Sequence, residues 1–290
     1  MQPSSEGTPE APLRILIGMQ ITHQLHTATA LDQYVQDIQL VENDASDPSP
    51  FVTFGYPEAT PELVIVLSGS LTLSYRHHQY HIAESCCFTF IEEPSKVTTS
   101  EKFRFIRVLF QPLGVLPIVR LSGLTANELI TKPVIGVSEF SDQSMRQLIP
   151  KVLSADSLSA VESLINDTLV TKLLCKPSLL SPLGSLNLTT ATVDNLCDLL
   201  CCTPRTLQRW FKLEMGISPK YFLRLLRFKH TLEQLADVVP AHPIAVANAL
   251  GYYDQNHLIK EVQHFGRTTP GQLSFDHYLP AQLLRSQIRS

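Results

Sequence analysis

Residues 203–219 read TPRTLQRWFKLEMGISP, and this stretch decides the fold assignment. Thr203 followed by Pro204 is typical of a helix start, because a threonine oxygen can cap the first turn and proline tolerates the first helical position. An apolar stripe and an opposite polar face follow at helical spacing. The stripe consists of Leu207, Trp210 and Phe211, and the polar face of Arg205, Gln208, Arg209 and Lys212. The sequence therefore predicts an amphipathic helix with arginine and glutamine on its outer side.

The residues before this helix predict a helix-turn-helix unit. A short apolar helix is predicted for TVDNLCDLL at residues 192–200, and only Cys201 and Cys202 separate it from Thr203. A short helix, a tight turn and a second helix with an apolar seam make up a helix-turn-helix. Arginine and glutamine are the side chains that bond bidentately to guanine and adenine edges in the major groove. The unit is therefore predicted to read DNA. For either unit taken alone, a helical bundle whose basic groups are merely solvated is an equal alternative.

A second unit of the same kind follows further along the chain. HPIAVANAL at residues 242–250 predicts a short helix that ends at Gly251, and Asp254 is placed to cap a helix over QNHLIKEVQHF. The seam of that helix consists of Leu258, Val262 and Phe265, and its outer face of Asn256, Ile259, Lys260 and Gln263. Between the units, Ser218-Pro219 starts a helix of about 18 residues, which is about 27 Å long. This length approaches the roughly 34 Å helical repeat of DNA, so the sequence predicts two reading helices in adjacent major grooves.

The charge changes sign along the chain. The 290 residues carry a net charge of −4, which argues against an indiscriminate polyanion binder. Residues 1–195 hold 12 basic and 20 acidic side chains, whereas residues 196–273 hold nine basic and six acidic ones. The acidic front and basic back favour DNA binding by the back part alone.

The front part reads as β-rich, and the predicted fold class is α+β with two domains. ELVIVLSGSLTLSY, residues 62–75, predicts a hairpin that turns at Ser68-Gly69-Ser70. Helical periodicity over 141–170 predicts helices that pack on the β domain or, alternatively, form a homodimer interface. The front domain is therefore expected to be a cupin-like barrel or sandwich with trailing helices, and the back domain all-α. The predicted bounds are a tail at 1–12, the front domain at 13–175, a linker at 176–190, the double helix-turn-helix at 191–275 and a tail at 276–290.

The back part resembles the DNA-binding domain of AraC/XylS-type transcription regulators. The resemblance covers about residues 190–275 and rests on LQRWF, GISPKYFLRLLR, GYYDQNHLIKE and the closing TP. It implies that bases are read from two sets of side chains, with His257 nearer the DNA backbone. These sets are Arg205, Gln208 and Arg209 in the first unit, and Asn256 and Lys260 in the second. Two departures are Cys201, which replaces the family's turn glycine, and a glycine near Arg267 that is shifted by one position. The front half is only loosely similar to the β-rich sensor halves of the family, so no ligand follows from it.

Other clusters give weaker indications. His77, His78 and His81 would suit a cupin-like metal enzyme or metal sensor, but the stretch also reads as a polar turn. Cys197, Cys201 and Cys202 suggest either a redox-sensitive cluster or small buried apolar residues. A DNA-repair fusion with a reactive cysteine lacks the separated cysteine quartet that holds zinc. No catalytic motif is present, so we expect a protein that is not an enzyme and has no cofactor or metal.

Together these patterns predict a sequence-specific transcription regulator. Its expected partners are double-stranded DNA, a small-molecule effector at the front domain, RNA polymerase and a second copy of the chain. The sequence contains no apolar run long enough to span a membrane, and its N-terminal MQPSSEGTPEAPLR is unlike a signal peptide. We therefore expect the protein to stay in the cytoplasm.

Overall fold

The computed structural model describes most of the chain between residues 19 and 273. The described residues are 19–25, 29–43, 50–58, 60–114, 116, 119, 122–175, 178–186, 188, 190–237 and 243–273. The predicted tails at 1–12 and 276–290 lie outside them. The strands are β1 Met19–Leu25, β2 Val35–Asn43, β3 Val52–Gly55, β4 Glu62–Ser68, β5 Leu71–Tyr75, β6 His78–Ile82, β7 Cys86–Phe88, β8 Ser95–Thr99, β9 Arg104–Phe110 and β10 Val134–Gly136. The α-helices are α1 Ala126–Thr131, α2 Gln143–Leu153, α3 Leu158–Cys175, α4 Val193–Leu199, α5 Pro204–Met215, α6 Pro219–Asp237, α7 Pro243–Ala249 and α8 Gln255–Gly266.

The front domain is built from two antiparallel sheets. One has the strand order β1-β2-β9-β4-β7-β10 and the other has the order β3-β8-β5-β6. The central strands β4 and β9 are apolar on both faces, because one face meets the second sheet and the other meets the helices that follow. The predicted fold class, a β-rich front and an all-helical back, is confirmed.

The predicted hairpin at Ser68-Gly69-Ser70 is wrong. Strand β4 pairs with β7 and β9, whereas β5 pairs with β6 and β8 in the other sheet, so the chain changes sheets here. Gly69 has φ +78°, and a Cβ at this position would lie 2.3 Å from the carbonyl oxygen of Lys102. Gly69 thus allows a tight turn between the two sheets that is packed against the loop at Lys102. The local sequence of such a turn does not differ from that of a hairpin turn.

The apolar face of the amphipathic stretch at 141–170 packs against the core of the same chain. It forms α2 and α3, and the apolar residues that define its stripe are buried in the main core. These residues are Met145, Leu148, Val152, Val161, Ile165 and Leu169. The interpretation as packing onto the β domain is therefore confirmed, and this stripe is not free to form a homodimer interface.

The long helix α6 organises the back domain. Phe222 of α6 packs on Phe211 of α5, with 5.4 Å between the ring centroids. One and a half turns later, Phe228 packs on Phe265 of α8 at 5.2 Å. The helix has 19 residues and is therefore about 28 Å long. The two helix-turn-helix units thus pack on the same helix, the first at Phe222 in its first turn and the second at Phe228 near its middle.

The segment predicted as the linker is packed against the back domain. A 3-10 turn covers Ser181–Ser185, and Leu180 is fully buried. The buried carboxylate of Glu214 in α5 accepts hydrogen bonds from Leu179 N at 3.0 Å and from the hydroxyl of Ser178. The connection therefore holds α5 by specific polar contacts. No α-helix in the described ranges is both long and apolar enough to cross a bilayer.

The back domain contacts the front domain through the end of α5. Gly216 terminates α5 in the left-handed conformation, at φ +74°, where glycine avoids the cost that a Cβ imposes. A Cβ on Gly216 would lie 2.5 Å from the carbonyl oxygen of Ala126 at the start of α1. The two domains can approach this closely because glycine is at the contact.

Gly216→Ala is expected to destabilise the protein more than Gly251→Ala. Both glycines have φ near +70°, so each substitution carries the left-handed cost of about 1–2 kcal/mol. At Gly251 nothing lies within 4 Å of the added Cβ, whereas at Gly216 the backbone of α1 must move. Urea unfolding followed by the fluorescence of Trp210, the single tryptophan, measures both losses. Equal losses would contradict the close contact between α1 and α5.

Candidate nucleic-acid interface

The first reading helix has the caps and the seam that its sequence predicts. The hydroxyl of Thr203 accepts a hydrogen bond from Thr206 N at 3.3 Å, and Pro204 occupies the first helical position of α5. Leu207 and Phe211 are fully buried against the rest of the domain. This burial fixes the rotation of α5 about its axis, so the opposite face must point outward.

Three of the predicted reading side chains on α5 are exposed together. Arg205, Gln208 and Arg209 line one shallow surface along the outer face of the helix. Lys212 borders the same surface, but its ammonium group donates a hydrogen bond to the carbonyl of Gly216 at 2.7 Å. This contact holds Lys212 at the C-terminal end of its own helix, where a positive charge interacts favourably with the carbonyl groups that have no partner within the helix. The lysine is therefore placed as a helix cap beside the reading face.

The second reading helix repeats this arrangement. The carboxylate of Asp254 accepts a hydrogen bond from His257 N at 2.7 Å and starts α8. Leu258, Val262 and Phe265 are buried, while Asn256 and Lys260 are exposed on the other side. His257 is half-buried, and its ring lies edge-on to Tyr252 at 5.3 Å. His257 thus packs against the turn that precedes α8, whereas Asn256 and Lys260 lie on the outer face of the helix.

An ion pair and an aromatic cluster hold α8 on α6. Arg224 donates two hydrogen bonds to Glu261, from Nε at 3.0 Å and from Nη2 at 2.9 Å. The guanidinium carbon of Arg224 also lies 5.1 Å from the ring centre of Phe265. A bidentate pair of this kind fixes both distance and angle, so the second reading helix has a defined orientation relative to α6.

A basic groove runs along α6 beside the second reading helix, and the sequence pattern did not predict it. Its floor is the face of α6 that carries Lys220 and Arg227, and its walls are the start of α4 and the first two turns of α8. Lys220 is exposed, and Arg227 lies over the ring of Tyr252 at 5.6 Å. The Nε atom of Arg227 is buried and has no hydrogen-bond partner among the described residues. The spacing of seven residues on one helix was the signal that could have revealed this pair.

The cysteines at the first turn differ in their surroundings. Cys197 is buried, and burial together with the neighbouring Cys202 raises its pKa. Cys201 is exposed and has φ +47°, the backbone conformation that the turn glycine would adopt. In the front domain, burial raises the pKa of Cys87 to about 12. Cys87 and Cys197 therefore behave as small buried apolar residues, as expected for inert cysteines.

The histidine cluster does not converge on one point. His77 lies with Arg76 in the tight turn between β5 and β6, where both have positive φ. His78 and His81 are exposed on β6. Within the ranges that the structure describes, no three histidine, cysteine, aspartate or glutamate side chains come together as a metal site. The interpretation as a polar turn fits these positions.

A cavity of about 170 Å³ lies between the two sheets of the front domain. Its walls are largely apolar and come from β3, β4, β5, β8 and β9. One residue of the back domain, Lys229 of α6, also lines it. The ammonium group of Lys229 is 3.3 Å from Glu58 Oε2 and 3.4 Å from Thr60 Oγ1. The cavity therefore has a wall that belongs to the helix carrying the reading units.

Comparison with known families and proteins identifies the back part of the chain. Residues 196–274 match the family described as a helix-turn-helix domain. This range includes both reading helices and the long helix between them. The comparison with curated proteins found no match to this chain.

Three solved structures illustrate what the chain is similar to. ToxT from Vibrio cholerae is 10% identical with a TM-score of 0.44, and the match covers 83% of this chain and 99% of ToxT. ToxT with a bound unsaturated fatty acid is 10% identical with a TM-score of 0.42, covering 79% of this chain and 95% of that one. The AraC-like transcriptional activator CuxR is 15% identical with a TM-score of 0.31, covering 71% and 79%.

Cys201→Gly is expected to stabilise the protein by about 0.5–1 kcal/mol. A non-glycine residue at positive φ costs about 1–2 kcal/mol, and the larger unfolded-state entropy of glycine offsets about half of this gain. Cys202→Gly is the matched control, because Cys202 lies outside the positive-φ residues and is half-buried, so that variant should lose stability. Urea unfolding measures both. A loss of stability in Cys201→Gly would contradict the assigned strain at the turn.

Proposed function

We propose that the protein is a sequence-specific DNA-binding transcription regulator, because residues 196–274 match a helix-turn-helix domain family. One chain places α5 and α8 in adjacent major grooves on one face of the DNA. The observation that carries this proposal is the pairing of two helices with buried seams and exposed polar faces, joined by a helix about 28 Å long.

The exposed side chains suit base recognition. Arg205 and Arg209 can each bond bidentately to guanine, and Gln208 can bond to adenine. In the second unit, Asn256 suits adenine and Lys260 suits guanine or a phosphate. The different side chains of the two helices imply two different half-sites, so the DNA site of one chain is a directional sequence.

Phosphate contacts come from the basic groove along α6. Lys220 and Arg227 lie on the face of α6 that lines this groove. In the proposed complex this face would lie opposite the DNA backbone between two adjacent major grooves. Cations there would displace counterions from the phosphates and make affinity fall with salt. The acidic front domain would stay away from the DNA for the same electrostatic reason.

A small molecule in the front cavity would control DNA binding. Lys229 belongs both to the cavity wall and to α6. A ligand in the cavity would therefore contact the helix that joins the two reading units and could change its position relative to the front domain. A ligand shifts the equilibrium between two domain arrangements only if it binds one of them better. The contacts of Lys229 with Glu58 and Thr60 join α6 to the front domain. They would be lost if the two domains separated, so the cavity would have a different wall, and a different ligand affinity, in the two arrangements.

The remaining partners follow from the role of a regulator. RNA polymerase is the partner through which DNA binding would alter transcription, and the cytoplasm is where both would meet. A homodimer through 141–170 would use the polar faces of α2 and α3, since their apolar stripe is buried. We assign no catalytic activity to the protein.

Arg209→Ala is expected to weaken binding to the selected site by about 1–3 kcal/mol and to relax preference at one base position. The variant loses one bidentate base contact and leaves the helix seam intact. Selection from a randomised DNA library, followed by fluorescence anisotropy, measures both effects. Arg104→Ala, an exposed arginine on β9 of the front domain and outside 141–170, is the matched control and should bind like wild type. An unchanged base preference in Arg209→Ala would contradict the assigned role.

Lys220→Ala is expected to weaken binding equally on all sequences. Loss of one phosphate contact lowers the slope of log affinity against log salt by about 1. The measurement is anisotropy at several salt concentrations, with Lys102→Ala, an exposed lysine of the front domain outside 141–170, as the control. A normal salt slope in Lys220→Ala would exclude a phosphate contact by Lys220.

A further inference from the structure

The charged side chains that line the front cavity compensate one another. They are Glu58, Glu62, Arg107 and Lys229. Arg107 donates two hydrogen bonds to Glu62, from Nε to Oε1 at 2.6 Å and from Nη2 to Oε2 at 2.7 Å. Lys229 pairs with Glu58 at 3.3 Å. The lining therefore has two cations, two anions and no net charge.

Both pairs are held in place by the fold. Glu62 and Arg107 lie on the neighbouring strands β4 and β9, and each side chain is 19% exposed. Burial alone would lower the pKa of Arg107, but the charge and hydrogen bonds of Glu62 raise it above its ordinary value. Glu58 also accepts a hydrogen bond from the Thr60 hydroxyl at 2.9 Å. The cations are thus already matched before any ligand arrives.

An anionic ligand would have to break one of these pairs. A carboxylate that took Arg107 would leave Glu62 partly buried without its cation, and one that took Lys229 would do the same to Glu58. Leaving a buried charge uncompensated is unfavourable, so the new pair gains little over the old one. A cationic ligand meets the same difficulty with the two glutamates.

The rest of the lining favours an apolar molecule of limited size. The apolar wall includes the aromatic side chains of Phe51, Phe54, Phe88, Phe105 and Phe110. The volume of about 170 Å³ is close to that of an engineered apolar cavity of roughly 150 Å³ that binds benzene. One aromatic ring with a small substituent fits this space.

We propose that the front cavity binds an uncharged, mainly apolar molecule about the size of one aromatic ring, and that the Glu62–Arg107 and Glu58–Lys229 pairs exclude carboxylates. The proposal rests on the effector role assigned to the cavity above and specifies the chemistry of the effector. Glu58 and Glu62 are its specificity-determining residues, because each neutralises a cation that would otherwise attract an acid.

Three probes with one ring and different charge test the ligand class on the full chain. Benzyl alcohol is uncharged, benzoate is an anion and benzylamine is a cation near neutral pH. Isothermal titration and thermal shift should show binding of benzyl alcohol at least tenfold tighter than binding of the other two. Equal or tighter binding of benzoate would overturn the proposal, and so would failure of benzyl alcohol to bind.

Two variants test the role of the ion pairs. Glu62→Gln and Glu58→Gln keep the shape of the side chains and each release one cation, so benzoate affinity should rise at least tenfold while benzyl alcohol affinity changes little. Glu58 is the more exposed of the two carboxylates, so Glu58→Gln provides the test if Glu62→Gln does not fold. Glu84→Gln, an exposed carboxylate outside the cavity, is the control. Unchanged benzoate affinity in both variants would contradict the exclusion mechanism.

DNA affinity measured in parallel separates this proposal from the proposed function. Benzyl alcohol binding with unchanged DNA affinity would support the ligand class and contradict effector control. DNA binding that depends on Arg209, without binding of benzyl alcohol, would support the DNA-binding function and overturn the ligand class.

Discussion

The packing of Phe228 is the contact on which the rest of the arrangement depends. This side chain of α6 is fully buried, stacks against Phe265 of α8 and meets Tyr56 of the front domain edge-on at 6.3 Å. The next residue, Lys229, pairs with Glu58 on the cavity wall. One turn of α6 therefore fixes the second reading helix on one side and the front domain on the other.

The charge pattern explains why the two domains attract each other and why only one of them suits DNA. The front carries the acids and the back carries the basic excess, and pairs across the interface join the two signs. Lys229–Glu58 is partly buried, whereas Arg267–Glu93 at 3.8 Å is exposed and contributes little. The basic groups on α5, in the groove and on α8 remain outside this interface. Docking of the domains therefore leaves the DNA-reading face open.

The back domain was predictable from sequence because its signals are local. The cap at Thr203, the seam of Leu207 and Phe211 and the cap at Asp254 each act within one or two helical turns, and all three are present. The shifted glycine near Arg267 also has a local reason. Helix α8 continues through Gly266, and Arg267 takes the left-handed position at φ +54°. The role of Lys212 as a helix cap depended on the path of the chain at Gly216, which the spacing alone did not show.

The front domain was less predictable because its contacts are not local. Strands β4 and β5 are joined by a glycine that suits a hairpin, yet β4 pairs with the later strands β7 and β9 and β5 belongs to the other sheet. The cavity is formed by side chains from both sheets and one lysine of α6, so no single segment indicates it. The same holds for Glu58 and Glu62, whose partners are a residue of α6 and a residue of β9. Only the fold brings these charges together.

Hydroxyl-radical footprinting of the full chain on its selected DNA site tests the central claim most directly. If α6 spaces two reading helices for adjacent major grooves, a single chain protects two backbone regions about 10 base pairs apart on one face of the duplex. Insertion of about five base pairs between the two recognised blocks should abolish the double protection. The insertion turns the second block to the opposite face of the duplex, where the two helices joined by α6 cannot both reach their grooves. A single protected region, or protection that tolerates the insertion, would contradict the account.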